Sequence, residues 1–497
     1  MTKKLILNFE QKKAIEKILL FLKNNDIKVF ILKGYAGTGK TTLLKELIDK
    51  YSDIYNFIPL ASTGAASKVL SQKIEKNSKT VHSDTYKFNK IEEKYKDQFE
   101  YKFDIKRNIT SLTDVFIIDE ASMISNEQAE QDKRVKFGSE KLLQDFLKQN
   151  NAKIIFVGDP MQLPPIGAEN SIALEKENLE KIFNIKCEEV TLKKIMRQNN
   201  QSSIQEESIK LRKCFEEKER YTLKSDNKNI FDINYDDISK FYCANLNDTG
   251  IITFSNREAL LISNKIRKLI FGKSLKKIQN GEKLLVIFNN HKIGVMNGNI
   301  IKVTKIISSK IIPVELEHKE KKVIKLEFIK ATIEKENGES IDTYILLNFL
   351  NDYLYPKDEK YISDALTKLS LLKGEDTYNS VLFNALRVRY GYAITCHKAQ
   401  GNEFNNVILE NRSTLNDFDY KWLYTGITRA RNNIYLFKSQ YNEAKLSNDL
   451  ENDYIEKNTY IEEQYIKNHE KDKYIIELIK LKSKKNCKKD KYIIQLL

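Results

Sequence analysis

The sequence predicts an α/β protein built on two parallel-sheet domains, with a β-hairpin inserted in the first and a β-rich segment in the second. Three observations lead there. Over residues 1–190, short apolar runs ending in glycine or acids alternate with helix-spaced segments. The same alternation restarts at 250–266 and resumes at 391–409. Two stretches break the rhythm, 86–113 and 281–385, and both show the alternating polarity of exposed strands.

The first domain is read from KVFILKG (28–34), TTLLKELIDKY (41–51), DVFIIDE (114–120) and AKIIFVGD (152–159). Apolar runs of this length between helices belong to a sheet covered on both faces. Their polar ends mark where such sheets bind ligands. Residues 86–113, polar and aromatic, are expected to form the inserted hairpin. GIITFSNREALLISNKI (250–266) opens the second sheet. KLLVIF, NIIKVTKII and KVIKLEFI suggest a small barrel across 281–385. The expected boundaries are 1–190 for the first domain, 191–280 with 386–440 for the second, and 441–497 for a charged helical tail without Gly or Pro. In that tail KDKYIIEL (471–478) recurs as KDKYIIQL (489–496). Five helical turns separate the copies, so they share one face. That face either docks on the protein or, with KSKKNCKK (482–489), forms an arm for a protein partner or DNA.

The 497 residues carry a formal charge of +15, which suits a polyanionic partner but also a merely solvated Lys-rich surface. Cys187, Cys214, Cys243, Cys396 and Cys487 show no CxxC spacing, so neither a zinc site nor a redox pair is expected. The start of the chain does not read as a secretory signal, and no run reaches the roughly 18 apolar residues of a membrane span. A cytoplasmic protein without membrane contact is expected.

GYAGTGKT (34–41) follows an apolar strand and precedes a helix. Its glycines let backbone N–H groups curl around phosphates, and the helix N-terminus adds partial positive charge. Gly34, Gly37, Thr38, Gly39, Lys40, Thr41 and Thr42 are the predicted cradle for ATP. In this pattern Lys40 reaches the β- and γ-phosphates and the Thr41 hydroxyl holds Mg²⁺. A Mg²⁺-nucleotide needs an acid at a neighbouring strand end. VFIIDEASM supplies Asp119 for the metal and Glu120 to polarise the attacking water. Two acids opening a helix would be the plain alternative. VGDPMQLPP (157–165) holds three of the six prolines, a stiff platform from which Gln162 senses the γ-phosphate, or else a structural turn.

GYAGTGKT, IIDEASM and VGDPMQLPP, in that order, resemble the superfamily 1B helicases, the 5′-to-3′ branch that includes RecD and phage Dda. The resemblance covers residues 5–440 and leaves out the tail. It implies two RecA-like P-loop motor domains, with the hairpin inserted in the first and the small barrel in the second. LNFEQKKAI (7–15) resembles the glutamine motif, in which Gln11 reads adenine. ASTGAASKVL (61–70) and KTVHSDTY (79–86) resemble motifs that grip single-stranded DNA, through Ser62, Thr63, Gly64 and His82 here. LKKIMRQ (192–198) places Arg197 at the γ-phosphate. YAITCHKAQGNEFNNVIL (392–409) implies DNA contact by Thr395, His397 and Gln400. WLYTGITRARNNIYLF (422–437) makes Arg429 the arginine finger of the second domain. The resemblance also points to Phe99, in DQFEYK (97–102), as the aromatic that stacks on the last base pair, unless it packs the hairpin's own core.

The chemistry stands beside the resemblance. Hydroxyls and backbone groups at Ser62, Thr63 and Gly64 suit phosphate contacts. An arginine supplied from a second domain makes hydrolysis depend on domain closure. With Lys40, Glu120, Arg197 and Arg429 as catalytic residues, the expected function is an ATP-dependent helicase stepping 5′-to-3′ on single-stranded DNA and opening forked duplex as a monomer. The alternative is an ATP-switched single-strand-binding protein or translocase without processive unwinding.

Overall fold

The computed structural model describes residues 7–107, 110–127, 134–196, 202–246, 249–272, 278–290, 292–318, 321–350 and 356–439. Arg197 and the tail with its repeat lie outside the described residues.

The first domain centres on a six-stranded parallel sheet in the order 79–80, 56–61, 114–119, 153–158, 29–34, 187–192. Period-two geometry sends alternate side chains of each strand to opposite faces. Phe30, Leu32, Val115, Ile117, Ile155 and Val157 therefore pack under the helices Phe9–Lys23, Lys40–Tyr51 and Gly64–Ile74. Val29, Ile31, Phe116, Ile118, Ile154 and Phe156 pack against Leu142–Gln149 on the other face. Both faces are buried, which is why these strands read as unbroken apolar runs.

The second domain holds a five-stranded parallel sheet in the order 230–232, 430–437, 404–410, 249–253, 394–395. The hairpin pairs 86–95 with 98–105, ending earlier than the expected 113, and gains a parallel third strand at Val135–Phe137. Three residues of modest polarity carry too little periodicity to announce a strand.

Strands 283–286, 300–317, 321–334, 340–346 and 386–390 close into a barrel, so no edge is left to pair with another chain. Its last strand runs five residues past the expected limit of 385, because LRVRY (386–390) completes the ring through Leu284–Val286 on one side and Ile345–Leu346 on the other. The two long strands also project beyond the barrel. There Val314, Leu316, Ile324 and Leu326 form a second small core with Ile362, Ala365, Leu366 and Leu369 of the helix Pro356–Leu372.

A buried ion pair fixes the barrel to the second domain. Arg267, on the helix Asn256–Phe271, meets Glu282 at 2.8 and 3.1 Å, and Tyr392 donates to the same carboxylate at 3.0 Å. The two charged side chains are 1% and 0% exposed. Removing the carboxylate takes away the opposite charge that the buried Arg267 guanidinium faces, a penalty of about 3–5 kcal/mol. Glu282→Ala is therefore expected to destabilise the chain by that amount in urea unfolding, a larger effect than any surface ion pair of this protein should give.

Candidate functional site

The P-loop follows strand 29–34 and turns through Gly37 and Gly39 at φ 77° and 78°. A β-carbon at Gly39 would lie 2.5 Å from Gln11 Nε2, so both backbone shape and space require glycine there. Gly39 caps the helix Lys40–Tyr51 without any side-chain hydrogen bond, leaving the first-turn N–H groups to an anion. Lys40 Nζ donates to the carbonyls of Gly34 at 2.6 Å and Tyr35 at 3.3 Å, and Thr38 Oγ1 donates to Tyr35 O at 2.8 Å. Thr41 and Thr42 stand half-buried in the first turn.

Asp119 ends the strand Asp114–Asp119, one strand removed from that of the P-loop, and Glu120 follows it. Burial, and next the charge of Glu120, push the Asp119 carboxyl above its ordinary range. Glu120 has a left-handed backbone, φ 51°, strained by about 1 kcal/mol for a side chain without local compensation. An uncapped helix start, a lysine on the loop and two crowded carboxyls are what a magnesium nucleotide needs: Thr41 and Asp119 would hold the metal, and Lys40 with the loop N–H groups the phosphates.

Gln11, expected to read adenine, lies against the P-loop backbone. It is 2% exposed and closes a capping box with Asn8, while Nε2 donates to Thr38 O at 3.2 Å. Its amide supports the P-loop from behind.

The loop Asp159–Pro165 crosses into the second domain. Met161 and Leu163 are buried in that domain's core beside Trp422, Leu423 and Tyr424. Leu163 N–H donates to Thr425 Oγ1 at 3.0 Å, and Leu163 O accepts from Gln400 Nε2 at 3.1 Å. Gln400, expected on DNA, is thus a clamp between the domains. Between its two anchors the loop presents Gln162. With its amide oriented to satisfy both neighbours, Gln162 donates to Glu120 Oε2 at 3.0 Å and accepts from Arg429 Nη2 at 3.2 Å. Arg429, 5% exposed, is aimed by Thr425 O at 3.0 Å, Asn402 O at 3.2 Å and Thr428 Oγ1 at 3.2 Å. Three residues far apart in sequence become one chain of hydrogen bonds across the cleft. Met196 N–H also donates to Gly37 O at 2.8 Å, so the segment leading to Arg197 rests on the P-loop.

The predicted DNA residues are placed unevenly. Thr63 Oγ1 caps the helix Gly64–Ile74 by accepting from Ala66 N at 3.1 Å, whereas the Ser62 hydroxyl is enclosed with no hydrogen-bond partner among the described residues. Gly64 lies under the barrel loop, where a β-carbon would come within 2.1 Å of Met296 Cβ. His82 is exposed, with its ring 5.8 Å from Phe137 and 6.0 Å from Tyr86. Thr395 opens the short helix Cys396–Ala399 without capping it, and His397 faces Phe418 with ring centres 6.1 Å apart.

Phe99 does not project from the hairpin. It is 3% exposed, and its N–H donates to Asp364 Oδ1 at 3.2 Å on the helix Pro356–Leu372. The hairpin end is locked to the barrel: Asp97 pairs with Lys368 at 2.6 Å and accepts from Glu317 N at 2.6 Å, and Arg134 pairs with Asp364 at 3.0 Å. The long sequence separation hid this docking, which makes the strand a two-sided packing element. The aromatic left in solvent at the hairpin end is Tyr95, 55% exposed.

Sequence reasoning also missed Arg389 and Lys398, which line a small cleft with Asn256 and Thr395. Lys398 sits in the quoted motif, but only the fold brings Arg389 beside it. Burial, with the Arg389 charge adding to it, lowers the Lys398 ammonium to about 8. Its charge is present below that pH and lost above it. If this cleft receives a phosphate, single-strand affinity should fall between pH 7 and 9, and Lys398→Ala should flatten that part of the profile in a fluorescence-anisotropy titration.

Residues 6–227 match the family described as AAA domain, and residues 390–437 match the UvrD-like helicase C-terminal domain. Over 488 residues the chain is 26% identical to the RecBCD enzyme subunit RecD of Buchnera aphidicola subsp. Schizaphis graminum, covering 87% of this chain and 73% of that subunit. The chain is thus similar to the superfamily 1B helicases in both its ATPase segment and its C-terminal segment.

The chain is also 27% identical over 504 aligned positions to an uncharacterized protein of Methanocaldococcus jannaschii, across 89% of its own length. It spans 39% of that relative and 35% of a mimivirus protein that is 31% identical over 188 residues. Among solved structures, Pif1 helicase from Candida albicans overlaps 92% of the chain, with 17% identity, 100% coverage of that structure and a TM-score of 0.43. Pif1 from Bacteroides, in complex with ADP-AlF3 and ssDNA, overlaps 94% of it, with 18% identity, 99% coverage of that structure and a TM-score of 0.40. No described helix of the chain is long and apolar enough to cross a membrane.

Proposed function

We propose that this chain is a magnesium- and ATP-dependent DNA helicase that steps 5′-to-3′ along single-stranded DNA and opens forked duplex as a monomer. The observation that carries the reading is the Glu120–Gln162–Arg429 chain, which joins an acid of the first domain to an arginine of the second. A passive nucleotide switch has no need of an acid and an arginine meeting across a closing cleft. A bound magnesium nucleotide supplies the phosphoanhydride and the divalent charge. Lys40 holds the phosphates, Glu120 takes the proton of the attacking water, and Arg197 and Arg429 stabilise the charge that develops.

Opening and closing of the cleft would shift Ser62 and His82 of one domain against Thr395 and Lys398 of the other, which turns hydrolysis into stepping. The docked hairpin supplies a stiff edge for strand separation, with Tyr95 exposed at its end. Direction follows from the family branch. Strand displacement on duplexes with either a 5′ or a 3′ single-stranded tail tests it: only the 5′-tailed duplex should be unwound, and unwinding confined to the 3′-tailed one would overturn the direction.

A further inference from the structure

We propose that Tyr424 is a positioning residue through which the second domain shapes the P-loop, so that the loop reaches its hydrolysis-ready form only while the domains are closed. The inference rests on the helicase reading and adds to it a residue outside the resemblance's named roles. Tyr424 is carried by the second-domain helix Asp417–Ile427 and is 1% exposed. Both polar contacts of its hydroxyl lie in the first domain. The O–H donates to Asp159 Oδ2 at 2.9 Å, and the oxygen accepts from the Ala36 N–H at 3.0 Å.

Ala36 belongs to the P-loop, between Tyr35 and Gly37. Asp159 is fully buried at the end of a neighbouring strand and also accepts from Met161 N at 2.9 Å. One phenol therefore links the phosphate loop to the loop that presents Gln162. Such a chain of hydrogen bonds polarises along its length in a buried site. It cannot survive separation by more than a few tenths of an ångström. Opening the cleft withdraws the hydroxyl, frees the Ala36 N–H and leaves a buried carboxylate short of a donor. Tyr35 reinforces the same seam, since the Arg212 guanidinium of the helix Ser203–Glu217 lies 3.9 Å from its ring centre.

The test is Tyr424→Phe in the full chain, which keeps the buried ring and removes only the hydroxyl. The turnover stimulated by single-stranded DNA should fall about tenfold, as for one hydrogen bond to a charged group. KM for ATP and the affinity for ADP should stay within about twofold. A second readout is the fluorescence of Trp422, the single tryptophan of the chain, two residues away on the same helix. In the wild type it should shift when a single-stranded oligonucleotide and a non-hydrolysable ATP analogue are added together. In the variant that shift should shrink by more than half. Asp159→Asn should lower turnover in the same direction, and the double variant should be no worse than the weaker single one, because both remove one linkage.

Unchanged turnover and fluorescence in Tyr424→Phe would overturn the inference, as would losses that multiply in the double variant. ADP affinity falling in step with turnover would show a merely structural role and overturn it too. A wild type without DNA-stimulated hydrolysis would sink the helicase reading itself. A stimulated wild type with an unaffected Tyr424→Phe would sink the inference alone.

Discussion

Arg429→Ala is expected to lower the ATPase turnover number by about 10³-fold while leaving ADP binding within a few-fold of wild type. An arginine delivered across a cleft acts on charge that develops in the transition state, and such fingers contribute about 10³–10⁵ in rate. Here the guanidinium is already aimed, held by the carbonyls of Thr425 and Asn402 and joined to Glu120 through Gln162. Truncation also leaves those acceptors unsatisfied in a buried seam, which costs about 1–3 kcal/mol of stability. Arg429→Lys separates the two effects. It keeps a charge without the planar fork, so stability should largely recover while turnover stays low. Turnover and ADP titration on both variants check this. An equal loss of ADP affinity and turnover in Arg429→Ala would place the arginine in ground-state binding instead.

Lys40→Ala is expected to reduce hydrolysis by at least about 10²–10³-fold with the fold intact, since removing one preorganised donor from such a site has that effect. In this structure the ammonium closes the P-loop by donating to Gly34 O and Tyr35 O. The loop also keeps the Thr38 hydroxyl bond, the Gln11 amide from behind and the Tyr424 contact, so its shape does not hang on the lysine. Thermal unfolding should therefore move by only a degree or two, and steady-state hydrolysis with single-stranded DNA should be close to background. Unchanged turnover would mean that the nucleotide site lies elsewhere.

Local pattern made part of the site legible. GYAGTGKT carries its own turn chemistry, because φ near 78° at Gly39 and the approach of Gln11 admit only glycine. Asp119 and Glu120 were readable as the polar end of an apolar strand. The hairpin end was not. Phe99 looks like a tip aromatic in DQFEYK, yet its N–H bonds to Asp364, 265 residues away. Gln400 shows the same limit: a glutamine in YAITCHKAQGNEFNNVIL gives no sign that its amide will meet Leu163 O, 237 residues distant. The barrel's end moved because ring closure depends on which strand pairs with Leu284–Val286, and alternation in LRVRY cannot name that partner.

By itself, the sequence determined the two parallel sheets, the β-rich insertion and the phosphate cradle at Gly34–Thr41, because strand burial, turn glycines and helix starts are settled by residues within a few positions of one another. Only the tertiary structure decided how the two domains act on one site. Gln162 between Glu120 and Arg429, and Tyr424 between Ala36 and Asp159, are contacts across a cleft, and a hydrogen bond between distant segments exists only once packing has brought donor and acceptor to about 3 Å.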